Sequence, residues 1–380
     1  MIYFDNAATT LPSSEVIEEM AKTLRDFPGN PSSLHELGRA AAKKLDACRE
    51  IVARALGSES QSLTFTSGGT ESVNWAICGA LHAMRHRGRH IIAGAIEHDA
   101  VLAPLKALSD RGYEITLLPP DSTGLISPLA LADALRDDTA LVSVMLANNE
   151  TGAIQPIREL ADFTHTHSPA LFHTDAIQGL CKLNFTAETL GADLISISAH
   201  KLHGPKGVGG LWIRPGLHVS PLIRGGGQER NLRSGTEALH NIAGFAKAVE
   251  LATASFKETS TQLQALQTHL RTTLPQRIPN AHFLPLGAPH IVSVSLPDTK
   301  SEVIMNYLDS QNIAVSHASA CKRGERSHVL TAMGLSNEII DGTIRVSFSK
   351  YNTVQEVDLL IQGLTDAKDM LFPAPRGGAL

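Results

Sequence analysis

The chain has 380 residues, 33 of them Lys or Arg and 38 Asp or Glu, for a net charge of −5. A balance this close to neutral leaves no global basic footprint for a nucleic-acid backbone or an anionic membrane, and only 4% aromatic residues argue against a stacking platform for single strands. With 43% hydrophobic and 19% charged residues, the composition is that of a globular chain of about two or three domains that needs no disulfide or metal staple. No run approaches the ~18 apolar residues of a membrane helix. The start, Met1-Ile2-Tyr3-Phe4-Asp5-Asn6, lacks the basic and apolar stretches of a signal peptide. Cys48, Cys78, Cys181 and Cys321 have no CxxC spacing, so a reduced cytoplasmic protein without a zinc site is expected.

A long helix with small residues in its middle is expected over 33–56. Short β-branched runs then predict strands at 63–66, 91–96, 115–118, 141–146, 170–173, 194–198 and 210–213. Helical patterns at 71–84, 100–109, 128–136 and 157–165 separate most of them. Such alternation predicts an α/β fold, a mostly parallel sheet of seven strands covered by helices on both faces. After Gly225-Gly226-Gly227 the texture changes. Residues 236–274 read as almost wholly helical and stop at Arg277-Ile278-Pro279-Asn280. Strands at 291–295, 313–316 and 343–347 and helices at 301–310 and 353–370 then suggest a smaller α+β unit, and 372–380 a loose tail.

Ligands of open parallel sheets bind at the carboxyl ends of the strands, and polar clusters sit where those ends are expected. Thr66-Ser67-Gly68-Gly69-Thr70-Glu71 joins a strand to a helix. Its glycines permit close backbone approach, and free N–H groups with hydroxyls suit a phosphate; the plain alternative is a tight turn with a capping threonine. Asp175 ends a strand and Gln178 follows, either to hold a cationic ring nitrogen and a ring substituent or merely to cap a helix. In Ser198-Ala199-His200-Lys201-Leu202-His203-Gly204-Pro205-Lys206, a lysine at the end of a buried strand is costly unless paired or chemically used. Lys201 and Lys206 both qualify as a Schiff-base amine, though Lys206 better fits a surface loop. Glu97-His98 and Asn148-Asn149-Glu150 end two further strands. An acid, a lysine and a phosphate cradle together fit a pyridoxal-phosphate enzyme. His82, His86 and His90 with the neighbouring arginines read as a solvated helix end and loop, Arg230 and Arg233 as site-facing or interface groups, and Cys48, Cys78 and Cys181 as packing residues.

These blocks resemble the NifS/IscS-type cysteine desulfurases, in the class V branch of fold-type I pyridoxal-phosphate enzymes. The similarity runs from Tyr3-Phe4-Asp5-Asn6-Ala7-Ala8-Thr9-Thr10 to Ile344-Arg345-Val346-Ser347, through Gly29–Ser33, Gly225–Arg230 and Arg233–Thr236. The resemblance implies that Lys201 carries the pyridoxal 5'-phosphate, Asp175 meets its ring nitrogen, Gln178 its ring hydroxyl, and His98 stacks on the ring. It assigns the phosphate to Gly69, Thr70, Ser198 and His200, and to Thr236 of a neighbouring subunit, hence a homodimer. Asn149 is implied to contact cofactor and substrate, and Arg345 the substrate carboxylate. The implied division is a cofactor-binding unit over 13–255 and a smaller unit formed by 1–12 and 256–380.

The remaining group is a thiol. Cys321 matches it, in a loop of small and charged residues where His317, Lys322 and Arg323 would favour the thiolate. The loop departs from the family pattern: Lys322-Arg323 replaces Thr-Ser, His317 replaces a Ser or Gly, and about two residues are missing relative to some relatives. The expected reaction is L-cysteine to L-alanine, sulfur leaving as a persulfide on Cys321 for an acceptor such as an iron–sulfur scaffold or a thiolation factor. Lys201 would move the α-proton with help from His98. The alternatives are a selenocysteine or C–S lyase, or a class V aminotransferase, on the same scaffold.

Overall fold

The computed structural model describes residues 1–317 and 326–372. Its main sheet orders seven strands as Leu63–Thr66, Gly209–Ile213, Leu194–Ser198, Leu171–Asp175, Thr139–Ser143, His90–Gly94 and Glu114–Leu118. Gly209–Ile213 runs antiparallel to both neighbours and every other pairing is parallel. The near-continuous apolar runs have a simple cause. Ile92, Val142, Phe172 and Ile195 enter the core on one face, while Ile91, Leu141, Leu171 and Leu194 enter the core on the other. A strand covered on both sides must be apolar at both parities. Helices Glu36–Ala55, Ile157–His167 and Leu239–Ala254 cover the first face, Gly69–Ala83 and Asp99–Ser109 the second.

A separate core forms where Leu263, Leu266, Leu270 and Leu274 pack with Val292, Val346, Leu360 and Phe4. Its antiparallel sheet orders Ser316–His317, Thr343–Ser347, Ile291–Ser295 and His282–Phe283. Ile2–Tyr3 pairs in parallel with Ile313–Ala314, so the chain starts beside this core before crossing to the larger sheet. Among the described residues no helix is long and apolar enough to cross a membrane.

Three expectations need correction. The helix expected over 236–274 is two, Leu239–Ala254 and Phe256–Arg277, parted at Ser255 (φ −100°, ψ 9°), whose hydroxyl donates back to the Leu251 carbonyl at 3.0 Å. Serine offers the backbone that local alternative to a continued helix. His90 lies in no solvated turn: it is fully buried in a strand, its ring nitrogens 2.8 Å from the hydroxyls of Thr139 and Thr116. Both polar atoms are satisfied, so an imidazole is tolerated there. Cys78 is exposed, because its position on helix Gly69–Ala83 faces away from the sheet that Ile77 and Val73 contact. Helix Ser14–Asp26, capped by the Ser13 hydroxyl, has no counterpart among the expected elements.

The glycine-rich stretch after residue 225 is fastened by one buried ion pair. Arg49 donates to both Glu229 carboxylate oxygens, at 2.5 and 2.8 Å, and Glu229 also accepts from the Phe65 amide at 2.8 Å. Deleting one partner strands a buried charge, so Glu229→Ala should lower the unfolding free energy by about 3–5 kcal/mol. Urea denaturation checks this; the double variant Arg49→Met/Glu229→Met should be less destabilised than Glu229→Ala.

Candidate active site

The strand ends of the main sheet open onto a cavity of about 400 Å³. Gly69, Thr70, His98, Asn149, Asp175, Gln178, His200, Lys201 and Arg345 all line it. Nine residues expected to act together are therefore brought together. Ser198 is buried just beneath: a Cβ built on Gly69 would stand 3.6 Å from the Ser198 Cβ. Thr236 is exposed and not among the lining residues. Cys321, Lys322 and Arg323 lie outside the described residues. Lys206 is exposed, whereas Lys201 reaches the cavity.

The Ser67–Thr70 turn depends on its glycines. Gly68 has φ +152°, and a Cβ on Gly69 would fall 2.2 Å from the Ile177 side chain. A Cβ on Gly209 in the neighbouring strand would come within 2.7 Å of the Gly68 backbone, so that glycine lets the turn lie against the sheet. The free amides at the start of helix Gly69–Ala83 and the buried Ser198 hydroxyl, which has no partner among the described residues, form a cradle suited to a phosphate.

Asp175 closes its strand 5% exposed, one carboxylate oxygen accepting from the Ile177 amide at 2.9 Å. Burial raises its pKa, while that amide and the nearby His98 and Lys201 work against the rise. Such a carboxyl is matched to a cationic ring nitrogen arriving from the cavity. Glu97, fully buried nearby, has its pKa pushed well above the ordinary carboxylate range by burial, with Asp175 adding to the rise; its Oε1 accepts from the Met145 amide at 2.8 Å. Burial thus pushes both acids toward the neutral form, and only Asp175 has nearby cationic groups that oppose the push. The His98 Nδ1 accepts from the Ala100 amide at 3.0 Å, which fixes the ring hydrogen on Nε2. Burial and then the Lys201 charge push His200 down to about 4, so it is neutral at pH 7.

Lys201 Nζ donates to the carbonyls of Ala7 and Ala8 at 2.6 and 2.7 Å. The Gln178 amide donates to Ala7 O at 2.8 Å and its oxygen lies 3.3 Å from His290 Nε2. Arg345 is 1% exposed. It donates to Asn149 O at 2.9 Å and to Asp5 Oδ1 at 2.8 Å, while its Nε has no partner among the described residues. A buried guanidinium with a spare donor at a cavity wall is suited to a carboxylate ligand.

Sequence reasoning gave no role to several groups that build this site. Ala7 and Ala8 act through backbone oxygens, which leave no signature in residue type. His290 comes from a loop of the smaller core and was invisible as a lone histidine. Ser327 donates to the Glu150 carboxyl, and His328 Nε2 lies 3.0 Å from Glu97 O, so the chain just beyond residues 318–325 is fixed to two strand ends of the main sheet. Burial raises the Glu150 pKa to about 7. Arg233 pairs with Glu71 at 2.8 Å and Arg230 donates to Leu63 O, so neither lines the cavity.

The family model for Aminotransferase class-V matches residues 2–360. The cysteine desulfurase IscS of Methanosarcina thermophila is 42% identical, the match covering 95% of this chain and 90% of the relative. A solved NifS-like protein superposes with a TM-score of 0.91 at 40% identity, over 96% of this chain and 98% of the other. The structure of SspA in complex with cysteine superposes with a TM-score of 0.79 at 33% identity, over 93% of this chain and all of the other.

The strand that delivers Asp175 also buries His173, whose ring nitrogens lie 2.8 and 3.0 Å from the hydroxyls of Ser143 and Ser196. Burial lowers its pKa from 6.5 to about 3. Between those values the unfolded chain binds one more proton than the fold. The contribution is therefore whole above pH 6.5 and is lost as pH falls toward about 3. His173→Asn should reduce the slope of stability against pH near pH 5 by about 1.4 kcal/mol per unit, measured by urea unfolding across that range. An unchanged slope would refute the assignment.

Proposed function

Because the chain belongs to the class-V aminotransferase family, and within it to the NifS/IscS-type cysteine desulfurases, we propose that it converts L-cysteine to L-alanine and passes the sulfur to an acceptor protein. The observation that carries this reading is one cavity lined by a buried strand-end acid, a lysine amine and a buried arginine with a spare donor. Pyridoxal 5'-phosphate is the cofactor we assign to it. The fit rests on Asp175 for the ring nitrogen, Gln178 for the ring hydroxyl, His98 for the ring face, and Gly69, Thr70, Ser198 and His200 for the phosphate. When bound, this cofactor supplies an aldehyde to join an amine and a cationic ring that accepts the electrons released at the substrate's α-carbon.

The residues divide the remaining work. Arg345 holds the substrate carboxylate through the donor left by its bonds to Asp5 and Asn149, and Asn149 borders the same space. Lys201, held by the Ala7 and Ala8 carbonyls, is the amine that takes the α-proton. Asp175 keeps a proton on the ring nitrogen, and the Nε2–H of His98 is the donor that assists proton transfer. The Cys321 thiolate attacks the substrate sulfur: a sulfur–sulfur bond forms as the carbon–sulfur bond breaks. The electrons stay with the carbon fragment, which takes up protons to leave as alanine, and Cys321 keeps the persulfide. Neutral His200 spares the site extra charge.

The same reading divides the chain into 13–255 and 1–12 with 256–380, supported by the separate core around Phe4 and Leu266 and by the helix break at Ser255. It also makes the protein a cytoplasmic homodimer in which Thr236 reaches the partner's phosphate, and an iron–sulfur scaffold the kind of acceptor expected. Exposure of Thr236 outside the cavity is compatible with that reach.

Incubation with L-cysteine and a reductant should release alanine and sulfide in equal amounts; pyruvate with ammonia would refute the reading. Cys321→Ser should abolish turnover, whereas full activity would favour a lyase. Arg345→Lys loses the planar fork at the carboxylate, so kcat/KM for cysteine should fall about 10–100-fold, mostly through KM.

A further inference from the structure

Among the described residues three histidines are fully buried, and they divide into two kinds. His90 and His173 have both ring nitrogens against hydroxyl groups. His290 has one ring nitrogen satisfied: Nε2 lies 3.3 Å from the Gln178 side-chain oxygen, and Nδ1 has no partner among the described residues. A bare ring nitrogen shut away from water costs stability, and an aliphatic side chain in the same place would avoid that cost. The imidazole therefore calls for a task performed by Nε2.

The hydrogen bonds around Gln178 fix the direction of its amide. Its nitrogen donates to Ala7 O at 2.8 Å. Turning the amide over would set two oxygens against each other at that distance, so the Gln178 oxygen faces His290. An amide oxygen only accepts, so Nε2 carries the imidazole hydrogen and Nδ1 is the bare atom. Burial, and then the charges of Lys182, Lys201 and Arg345, hold His290 well below its ordinary 6.5, so the ring stays neutral and donates through Nε2 alone. His290 is itself fixed where strand Ile291–Ser295 begins, its carbonyl accepting from the Phe348 amide at 2.9 Å. One amide hydrogen of Gln178 is left, on a side chain that borders the main cavity.

We propose that His290 is a positioning residue, clamping the Gln178 oxygen so that the second amide hydrogen serves the ring oxygen of the cofactor. This rests on the pyridoxal 5'-phosphate assignment above, and it gives the smaller core a part in tuning the cofactor's electronics. A donor at the ring oxygen stabilises its negative form and competes for that charge with the proton on the nitrogen that joins the cofactor to Lys201. Releasing the clamp frees the amide to swing, and the joining nitrogen then keeps its proton to higher pH.

Visible absorbance of the cofactor-loaded protein, titrated across neutral and alkaline pH, reads that proton. His290→Leu should raise the apparent pKa by about one unit, the scale of a hydrogen bond to a charged group. His290→Gln, whose amide nitrogen reaches the place of Nε2, should keep the wild-type titration. Should His290→Leu fail to fold, His290→Asn takes its place, because the shorter amide stops near the place of Nδ1 and should give the same rise. A titration unmoved by His290→Leu or His290→Asn overturns the inference, as does a His290→Gln protein shifted as far as they are. Wild-type protein that takes up no pyridoxal 5'-phosphate overturns the cofactor assignment, and this inference with it; the variants decide the inference alone.

Discussion

Residues 5–10 carry the constraint on which the site depends. This segment leaves the smaller core at Phe4 and lies between the two sheets, where it is bonded to both. The Asp5 carboxylate accepts from Arg345, and the Asn6 amide donates to Ser347 O at 2.9 Å. Ala7 O takes bonds from both Lys201 and Gln178, and Ala8 O a second one from Lys201. The Thr10 hydroxyl donates to His200 O and accepts from the His203 amide. Buried cationic groups are tolerated only when their donors find acceptors. Here a turn over Asn6–Ala8, closed by the Ala8 amide donating to Asp5 O at 3.1 Å, leaves the Ala7 and Ala8 carbonyls to supply them. The lysine end, the glutamine and the arginine of the cavity are thereby held by one strip of chain.

The sheet then tunes what the strip holds. Each strand buried on both faces ends at one rim, so its terminal polar residue is delivered with little solvent around it. Burial is the first cause in each case: it raises Glu97 and Asp175, the latter opposed by His98 and Lys201, and it keeps His200 and His173 uncharged at pH 7. Lys182, seven residues past Asp175 and below the same rim, is pushed the same way by the same cause. The smaller core contributes Arg345 from the middle of its own sheet and His290 from the loop before it, so the cavity is closed from a second direction. Ser327 and His328 fix the downstream end of the Cys321 segment to Glu150 and Glu97, on the strand ends that border His98 and Asn149.

Much of this was legible in the residue order. Both-parity apolar runs announced a two-sided sheet, and its seven strands lie within a few residues of the expected spans. The clusters at Gly69, His98, Asn149, Asp175 and Lys201 were found because strand ends are where such sheets bind ligands. What escaped has a common physical character. His90 resembled a member of a charged turn until two threonine hydroxyls from neighbouring strands met its ring. The break at Ser255 is made by a hydroxyl competing for a carbonyl, a local choice that periodicity does not register.

The sequence by itself determined the α/β layering, the strand-end positions of the reactive side chains, and the preference for Lys201 over Lys206, because these follow from local pattern and from residue types matched to known blocks. Only the tertiary structure decided which backbone oxygens receive the lysine, which acid has cationic neighbours to oppose the effect of burial, and that Arg345 keeps a spare donor. Those properties depend on distances between segments hundreds of residues apart and on how completely water is excluded, and neither quantity is written in the order of residues along the chain.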